Sequence, residues 1–581
     1  MKLDLVYVSY NSSKWIDDCF ASIMRSDYNL KDIAVYVVDN ASTDDTLQKL
    51  EAVKERYKEK LAGFNIIQAG CNLGFGKANN LGFSKGNAEI VCFFNIDTEL
   101  CADTLSELVK DIAESDEKAG LWELRQFPYE HPKIYDPLTH ETYWSSAAAF
   151  AMRRELFRKL NGFDDAIFMY AEDVDLSWRL RSLGYTLKYC PKSVIWHYSY
   201  QKAGEIKPNQ YLNSVINNLL LRYRFGTMRN IIKGNLMVIK QLLKPEVFEG
   251  SRKMLFRKYL QHFGKIFHFA NPVKWGKDQV FEATFFGFDY SAIREGAFYE
   301  NHFPESNALV SVIVRTCGRP DVLRETIQSL RLQTYPNIEI VVVEDGPEVS
   351  RQMLETEFSD LNILYKASGE KVGRSRVGNM AMEMAHGKYL NFLDDDDLFY
   401  ADHVEVLVAS LENCRERAAY ALAFETPVDV FSKSPYRYKV YEYLGVYKQK
   451  FNRILLCHHN YIPIQCIMFE KTLFEEFGGL DESLDALEDW DLWVRYAMHT
   501  DFYCVEKTTS IYRVPYNHSV NEVRQGALDD ALLVVRAKHQ GYCTNMMMTA
   551  AEMCAFTEAI FATVEMPSLR SQIKARIRRY F

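Results

Sequence analysis

Apolar and polar positions along this chain follow one order twice. Leu3 to Ser9 is a β-rich apolar run, Trp15 to Met24 is amphipathic, and Ile33 to Val38 is a second apolar run ending on Asp39. The same order returns as Leu309 to Arg315, Val322 to Leu330, and Ile338 to Val343 ending on Glu344 and Asp345. A third apolar run in each copy meets acids: Ile90 to Phe94 before Asn95, Ile96 and Asp97, and Tyr389 to Leu393 before Asp394 to Asp397. Each copy closes on an acidic cluster, Glu172, Asp173 and Asp175 or Glu488, Asp489 and Asp491. Apolar residues at helical spacing follow it, Leu176, Leu180 and Leu183 or Leu492 and Tyr496, so each cluster opens a helix. Repetition on this scale reads as two copies of one architecture.

Strands apolar on both faces and alternating with helical stretches predict an α/β fold, a mainly parallel sheet covered on both sides. Ligands of such sheets gather at the carboxyl ends of the strands, where these acids fall. The acids concentrate negative charge in one crevice per copy, which a divalent cation, Mg2+ or Mn2+, would relieve. The pattern divides the chain into a first domain at 1–205, a basic helical linker at 206–300, a second domain at 301–525 and a helical segment at 526–581. The linker carries the apolar stripe Leu212, Val215, Ile216, Leu219, Leu220 and Tyr223. In the last segment Leu569, Ile573, Ile577 and Phe581 share a face flanked by Arg570, Lys574, Arg576, Arg578 and Arg579.

A length of 581 residues exceeds one ordinary core and supports the two-copy division. With 48% hydrophobic and 25% charged residues the chain is expected to be globular rather than disordered or fibrous. The net charge of −9 argues against nucleic acid as the main partner. Twelve cysteines with no CxxC pair indicate neither a zinc ribbon nor a disulfide scaffold, which suits a reducing cytosol. The start lacks the order of a signal peptide, and no apolar stretch is long enough to span a bilayer. The expectation is a cytoplasmic protein that touches the inner face of the cell membrane only peripherally, with the basic middle helices and the tail meeting an anionic surface.

The acids suit a reaction in which a diphosphate departs. Asp97 and Asp396 are the candidate cation ligands, with Asn95 and Asp394 near a ribose or a metal-bound water. Asp173 and Asp489 are the candidate bases that take a proton from an acceptor hydroxyl, and their helix-start position favours the ionised form. Asp39 and Asp345 are placed to accept hydrogen bonds from a nucleotide's base or ribose. His197 and His518, each after a strand-like run, could complete a metal shell, and imidazole suits Mn2+ better than Mg2+. Taken singly, these residues read equally well as first-turn charges, a solvated turn or structural histidines. Their recurrence in one order carries the inference.

The residues resemble the family 2 glycosyltransferases. In the first copy the match runs through VSYN (8–11), VVDNASTDDT (37–46), NLGFGKANNLGF (72–83), FFNID (93–97), NGFDD (161–165), FMYAEDVDLSWRL (168–180) and WH (196–197). In the second it runs through VSVIVRTCGRP (310–320), VVVEDG (341–346), VGRSRVGNMAM (372–382), GKYLNFLDDDD (387–397), FGGLDESL (477–484) and LEDWDLWVRY (487–496). The resemblance implies two GT-A domains (Rossmann-like, nucleotide-diphospho-sugar transferase) that invert the anomeric centre and use a nucleotide-diphosphate sugar with Mg2+ or Mn2+. It implies that Asp97 and Asp396 hold the metal, that Asp173 and Asp489 are the bases, and that Asp39 and Asp345 contact the nucleotide. The motif residues Ser9, Asn11 and Gly74, and Thr316, Arg319, Arg374 and Asp395, are then expected along the donor. The first copy is most similar to the rhamnosyltransferase branch, which implies dTDP-rhamnose, and it departs by having Asn95 where many members have Asp. Implied partners are nucleotide-sugar donors and a glycan or lipid-linked oligosaccharide acceptor, as in O-antigen or capsule synthesis. A competing reading makes one copy the enzyme and the other a silent carbohydrate-binding module. A nucleotidyltransferase would need a Gly-rich, Arg-bearing loop after the first strand, where this chain has Tyr10-Asn11-Ser12 and Thr316-Cys317-Gly318.

Overall fold

The structure is a computed structural model, and it describes residues 1–199, 205–270 and 281–543 together with a few between 549 and 557. The chain forms two compact units, Met1–His302 and Phe303–Phe581.

In the first unit the strands are β1 (Leu3–Ser9), β2 (Ile33–Asp39), β3 (Gly63–Gln68), β4 (Ile90–Asn95), β5 (Thr98–Leu100), β6 (Ala119–Phe127), β7 (Ala149–Arg153) and β8 (Thr186–His197). They lie in the order β3-β2-β1-β4-β7-β6-β8-β5. Side chains alternate across β1, so Leu3, Leu5 and Tyr7 join one core layer and Val6 the other, on opposite faces of the sheet. That two-sided burial is why the strand reads as a continuous apolar run.

In the second unit the strands are β9 (Val310–Thr316), β10 (Ile338–Glu344), β11 (Ile363–Ala367), β12 (Tyr389–Phe392), β13 (Leu398–Phe399), β14 (Ala418–Lys433), β15 (Tyr436–Val440), β16 (Leu444–Tyr447), β17 (Ile467–Glu470) and β18 (Phe502–Pro515). Their order, β11-β10-β9-β12-β17-β14-β18-β13, matches the first sheet strand for strand, and β15 and β16 are additions paired to β14.

The sheets are less parallel than the pattern predicts. β3, β2, β1 and β4 run parallel, but β7 is antiparallel to both β4 and β6, and β5 is antiparallel to β8. Strands buried on both faces carry no mark of direction, so composition alone does not separate the two cases.

Residues 206–300, expected as a linker, belong to the first unit. The apolar stripe is the buried face of helix Pro208–Phe225, where Leu212, Val215, Ile216, Leu219 and Leu220 pack with Ile167, Val238 and Leu255. In the second unit the helix His518–Cys543 supplies Val535 to the main core. The amphipathic tail read at 569–581 lies outside the described residues. Among the described residues no helix is long and apolar enough to cross a membrane.

Candidate active sites

The parallel strands bring the expected acids together at their carboxyl ends. Ser9 ends β1 beside Asp39 at the end of β2, and Val8 pairs with Asn95 at the end of β4. In the second unit Thr316 pairs with Glu344. The register therefore makes Glu344, not Asp345, the counterpart of Asp39, and Asp345 the counterpart of Asn40. Both later residues do the same work. Asn40 N–H donates to Ser9 O at 2.8 Å and its side chain accepts from Leu73 N–H at 2.8 Å. Asp345 N–H donates to Thr316 O at 2.8 Å and its carboxylate accepts from Val372 N–H at 2.6 Å and Gly373 N–H at 3.2 Å. These contacts fix the loop that leads into helices Phe75–Phe83 and Arg374–Met384. Glu344, missed as a site residue, is fully buried and accepts from Gly318, Val349 and Ser350 N–H.

Around these ends the motif residues are largely committed to one another. Ser9 is buried, while Asn11 is exposed in the left-handed region (φ 50°) and accepts from Thr43 N–H at 2.8 Å. Asp39 accepts from Ser42 N–H at 3.3 Å. Gly74 has φ 81°, and a Cβ there would stand 2.4 Å from Phe168 O, so this glycine serves close packing of the loop before Glu172. Gly373, its counterpart, faces open space.

In the first unit Asp97 and His197 meet, with Oδ1 and Nε2 3.5 Å apart. His197 Nδ1 lies 2.9 Å from Gln126 Oε1, which orients the ring so that Nε2 faces Asn95 Nδ2 at 3.3 Å and the Asp97 carboxylate. Burial works against charge on Asp97, but His197 outweighs it and holds the carboxyl below its ordinary range. A carboxylate beside an oriented imidazole fits a divalent cation that takes its other ligands from phosphates and water. Among the described residues no group of three or more His, Cys, Asp or Glu forms a metal cage.

The second unit solves the charge differently. Arg315, at the position of Val8, donates to Asp394 through Nε at 2.7 Å and Nη2 at 2.8 Å, and to Glu488 through Nη1 at 2.8 Å. Arg319 pairs with Asp395 and reaches Asp396 at 3.3 Å, and Thr316 donates to Asp395 at 2.7 Å. Asp394 is held low: burial raises it, and Arg315 more than reverses that. Asp395 is pushed up to about 6, chiefly by burial. Asp396 is the open member, with its side chain 42% exposed, and is the carboxylate available to a cation. Arg374 stands 4.0 Å from Glu488.

His518 does not repeat His197. Leu100 pairs with Ile195 and Thr98 with His197, as Phe399 pairs with Ser510 and Leu398 with Ile511. Extending that register one residue puts Tyr512 at the place of His197. His518 instead opens helix His518–Cys543, and its side chain lies outside the described ones.

Short hydrogen-bonded links tie the end of β4, and its counterpart β12, to the helix-start acids in each unit. Asn95 N–H donates to Ala148 O at 2.9 Å, and the adjacent Ala147 N–H donates to Asp173 Oδ2 at 3.1 Å. In the second unit Arg315 bridges Asp394 to Glu488, the neighbour of Asp489, and Asn460 Nδ2 donates to Asp489 at 3.2 Å. Left-handed residues precede both helices, Tyr170 and Ala171 at φ 70° and 66° and Leu487 at 60°. Such strain persists where the surroundings hold it. The helix start was expected to favour ionised bases, yet burial dominates. Asp173 is raised by burial against backbone hydrogen bonds from Ala147 and Val174. Asp489 is pushed up to about 7 by burial and then by Glu488. Glu172 Oε2 is buried with no hydrogen-bond partner, where its counterpart Glu488 has Arg315.

Asp175 and Asp491 do not face the crevice. Asp175 pairs with Arg179 at 2.7 Å, whose Nη atoms donate to Leu160 O and Gly162 O, and Asp491 pairs with Arg495, which donates to Phe477 O and Gly479 O. Asn80 and Asn379 clamp the same loops, each exchanging two hydrogen bonds with the backbone of Phe163 or Leu480. The helical extensions complete the support. Arg224 joins Asp164 at 2.6 Å to Asp175 at 2.5 Å, Asn217 donates to Tyr170 O at 2.7 Å, and Lys538 joins Asp481 to Asp491. One helix after each sheet therefore braces the loop that presents the helix-start acids. The signal was a lone cation at long range, which no local pattern marks.

The model of "Glycosyl transferase family 2" matches residues 4–176 and 311–478. An uncharacterized glycosyltransferase of Rickettsia prowazekii is 29% identical over 196 residues, 34% of this chain and 60% of its own length. A glycosyl transferase of Escherichia coli assigned to colanic acid biosynthesis, WcaA, is 26% identical over 227 residues, 38% of this chain and 76% of its own. The chain thus spans 60% of the length of the Rickettsia relative. Among solved structures, the mannosyltransferase PcManGT from Pyrobaculum calidifontis in complex with GDP-Man and Mn2+ aligns with a TM-score of 0.31 at 19% identity, covering 45% of this chain and 69% of that one. TarS 1–349 of S. aureus in complex with UDP aligns at 0.30 and 20% identity, covering 47% and 76%.

Proposed function

We propose, because the chain belongs to glycosyl transferase family 2 through two separate segments, that each unit is an inverting glycosyltransferase site and that the two extend one cell-surface polysaccharide or lipid-linked glycan. The observation that carries this reading is the recurrence, in both units, of a half-buried helix-start aspartate tied to the strand end of Asn95 or Asp394, with Asp489 pushed up to about 7. A base works best when its pKa lies near the working pH, because it is then both ionised and strong enough to take the proton.

In each unit the acceptor hydroxyl oxygen would attack the anomeric carbon of a nucleotide-diphosphate sugar as the bond to the diphosphate oxygen breaks. The hydroxyl proton would pass to Asp173 or Asp489. A divalent cation at Asp97 and His197, or at Asp396, would neutralise charge growing on the departing diphosphate. Arg319 and Arg374 stand ready in the second unit to meet phosphate oxygens. A dTDP-rhamnose donor for the first unit follows only from its resemblance to that branch.

Asp173→Asn and Asp489→Asn, made separately in the full chain, test this with a panel of nucleotide sugars and glycan acceptors read by mass spectrometry. Loss of a different linkage in each variant is the expected result. Full transfer by both variants would refute the roles, and loss in only one variant would leave the other unit as a silent binding module.

A further inference from the structure

The helical extension of the first unit leaves two apolar stripes open to solvent. On helix Met228–Leu243, residues Met228, Ile232, Leu236, Ile239 and Leu243 are 43 to 81% exposed. Their spacing of four and three residues gathers them into an arc of about 80° at roughly 100° per residue. Gly234 and Val238, on another face, are the buried side of the helix. On the neighbouring segment Ser251–Phe269, which packs against it, Phe256, Leu260, Phe263 and Phe267 recur at the same spacing and are 49 to 89% exposed. With Met254, ten large apolar side chains open to water within forty residues exceed the scattered exposure that folded chains ordinarily tolerate.

The charge beside the stripes says what covers them. Residues 228–267 hold nine Lys or Arg against Glu246 and Glu249, in a chain whose net charge is −9. Arg229, Lys233, Lys240 and Lys244 edge the first stripe and are exposed, and Arg252, Lys253 and Arg257 are exposed beside the second. A second copy of this face would bring like charge onto like charge. The 569–581 sequence is equally basic and offers no complementary charge. An occupant must be apolar inside and negative at its edge, which is the cross-section of an anionic lipid leaflet. We propose that helices Met228–Leu243 and Ser251–His262 form an interfacial membrane-binding surface, with the stripes in the acyl boundary and the basic residues among acidic headgroups. Because Arg224 and Asn217, in the helix just before, brace the base-bearing loop, the first unit's site would work close to the bilayer.

The test is flotation of the full-length chain with phosphatidylcholine vesicles, with and without phosphatidylglycerol. Binding to the anionic vesicles alone, weakened by salt, is expected. The stripe variant Leu236→Glu/Leu243→Glu/Phe267→Glu should lower it by about tenfold or more, and Lys233→Glu/Lys240→Glu should lower it independently. Unchanged donor hydrolysis and thermal midpoint verify folding, since none of these residues touches a site. No flotation of the parent chain overturns the proposal. So does a stripe variant that floats like the parent, loss that follows only from deleting residues 544–581, or light scattering that shows the stripe variant splitting a dimer.

Discussion

Replacing Arg315 by Met keeps the length of the side chain and removes its charge from between two carboxylates. The guanidinium makes three charge-assisted hydrogen bonds of 2.7 to 2.8 Å, and the exposures are 6% for Arg315, 4% for Glu488 and 25% for Asp394. Breaking a buried pair by deleting one partner costs about 3–5 kcal/mol, because the remaining charge is stranded away from water. A domain holds about 5–15 kcal/mol in total, so the second unit should stay folded in water but unfold at markedly lower urea. Asp394 supplies a sign. Arg315 is what holds its carboxyl low, so in the variant Asp394 takes up a proton as the pH falls, and the loss should be larger at pH 8 than at pH 5. The first unit shows a neutral solution at the same register, Val8 beside Asn95. Arg315→Val/Asp394→Asn should therefore recover part of the stability lost in Arg315→Val alone. Urea unfolding read by pulse proteolysis of the full chain, unit by unit, measures all three. A single variant within about 1 kcal/mol of the parent, or a double variant no more stable than Arg315→Val, would show that the arginine does not hold this site together.

Transfer by the second unit should fall as the pH drops below about 7, because Asp489 must be ionised to accept the proton; a profile flat to pH 5 contradicts the assignment. The same raised pKa means the folded state holds a proton the unfolded chain releases, so stability declines between the ordinary carboxyl range and pH 7, and Asp489→Asn should be the more stable protein at pH 8 while inactive. Arg224→Met should cut transfer by the first unit and spare the second, whereas Lys538→Met should do the reverse, each by freeing the loop before the base; equal effects on both linkages would contradict separate braces. Gly74→Ala should destabilise the first unit by about 1–3 kcal/mol through a Cβ driven into Phe168 O, and Gly373→Ala, which meets only backbone strain, should cost the second unit less, as thermal melts would show.

Repetition made the acids legible. Asp97, Asp173, Asp396 and Asp489 stand out as candidates because strand ends and helix starts recur, and local periodicity marks both. The pairing of histidines was not legible, since His197 and His518 each follow a β-rich run and only the ladder register shows Tyr512 in the equivalent place. Asp345 was matched to Asp39 for a similar reason: one residue of register separates them, and a run of acids hides it. Arg315 carried no local signal at all, because an arginine inside an apolar strand is explained only by the acids that close on it from elsewhere in the chain.

The amino-acid order by itself determined two copies of one architecture, the three apolar strands whose ends gather acids and the acid-opened helix of each, because burial on a sheet face or a helix stripe leaves a period in the chain. Tertiary structure decided which strands run antiparallel, which acids are free and which are spent on arginines, and how high Asp173 and Asp489 are held. Those properties depend on burial and on partners as distant as Arg315 from Glu488 or Arg224 from Asp164, and no spacing along the chain encodes a contact made across the fold.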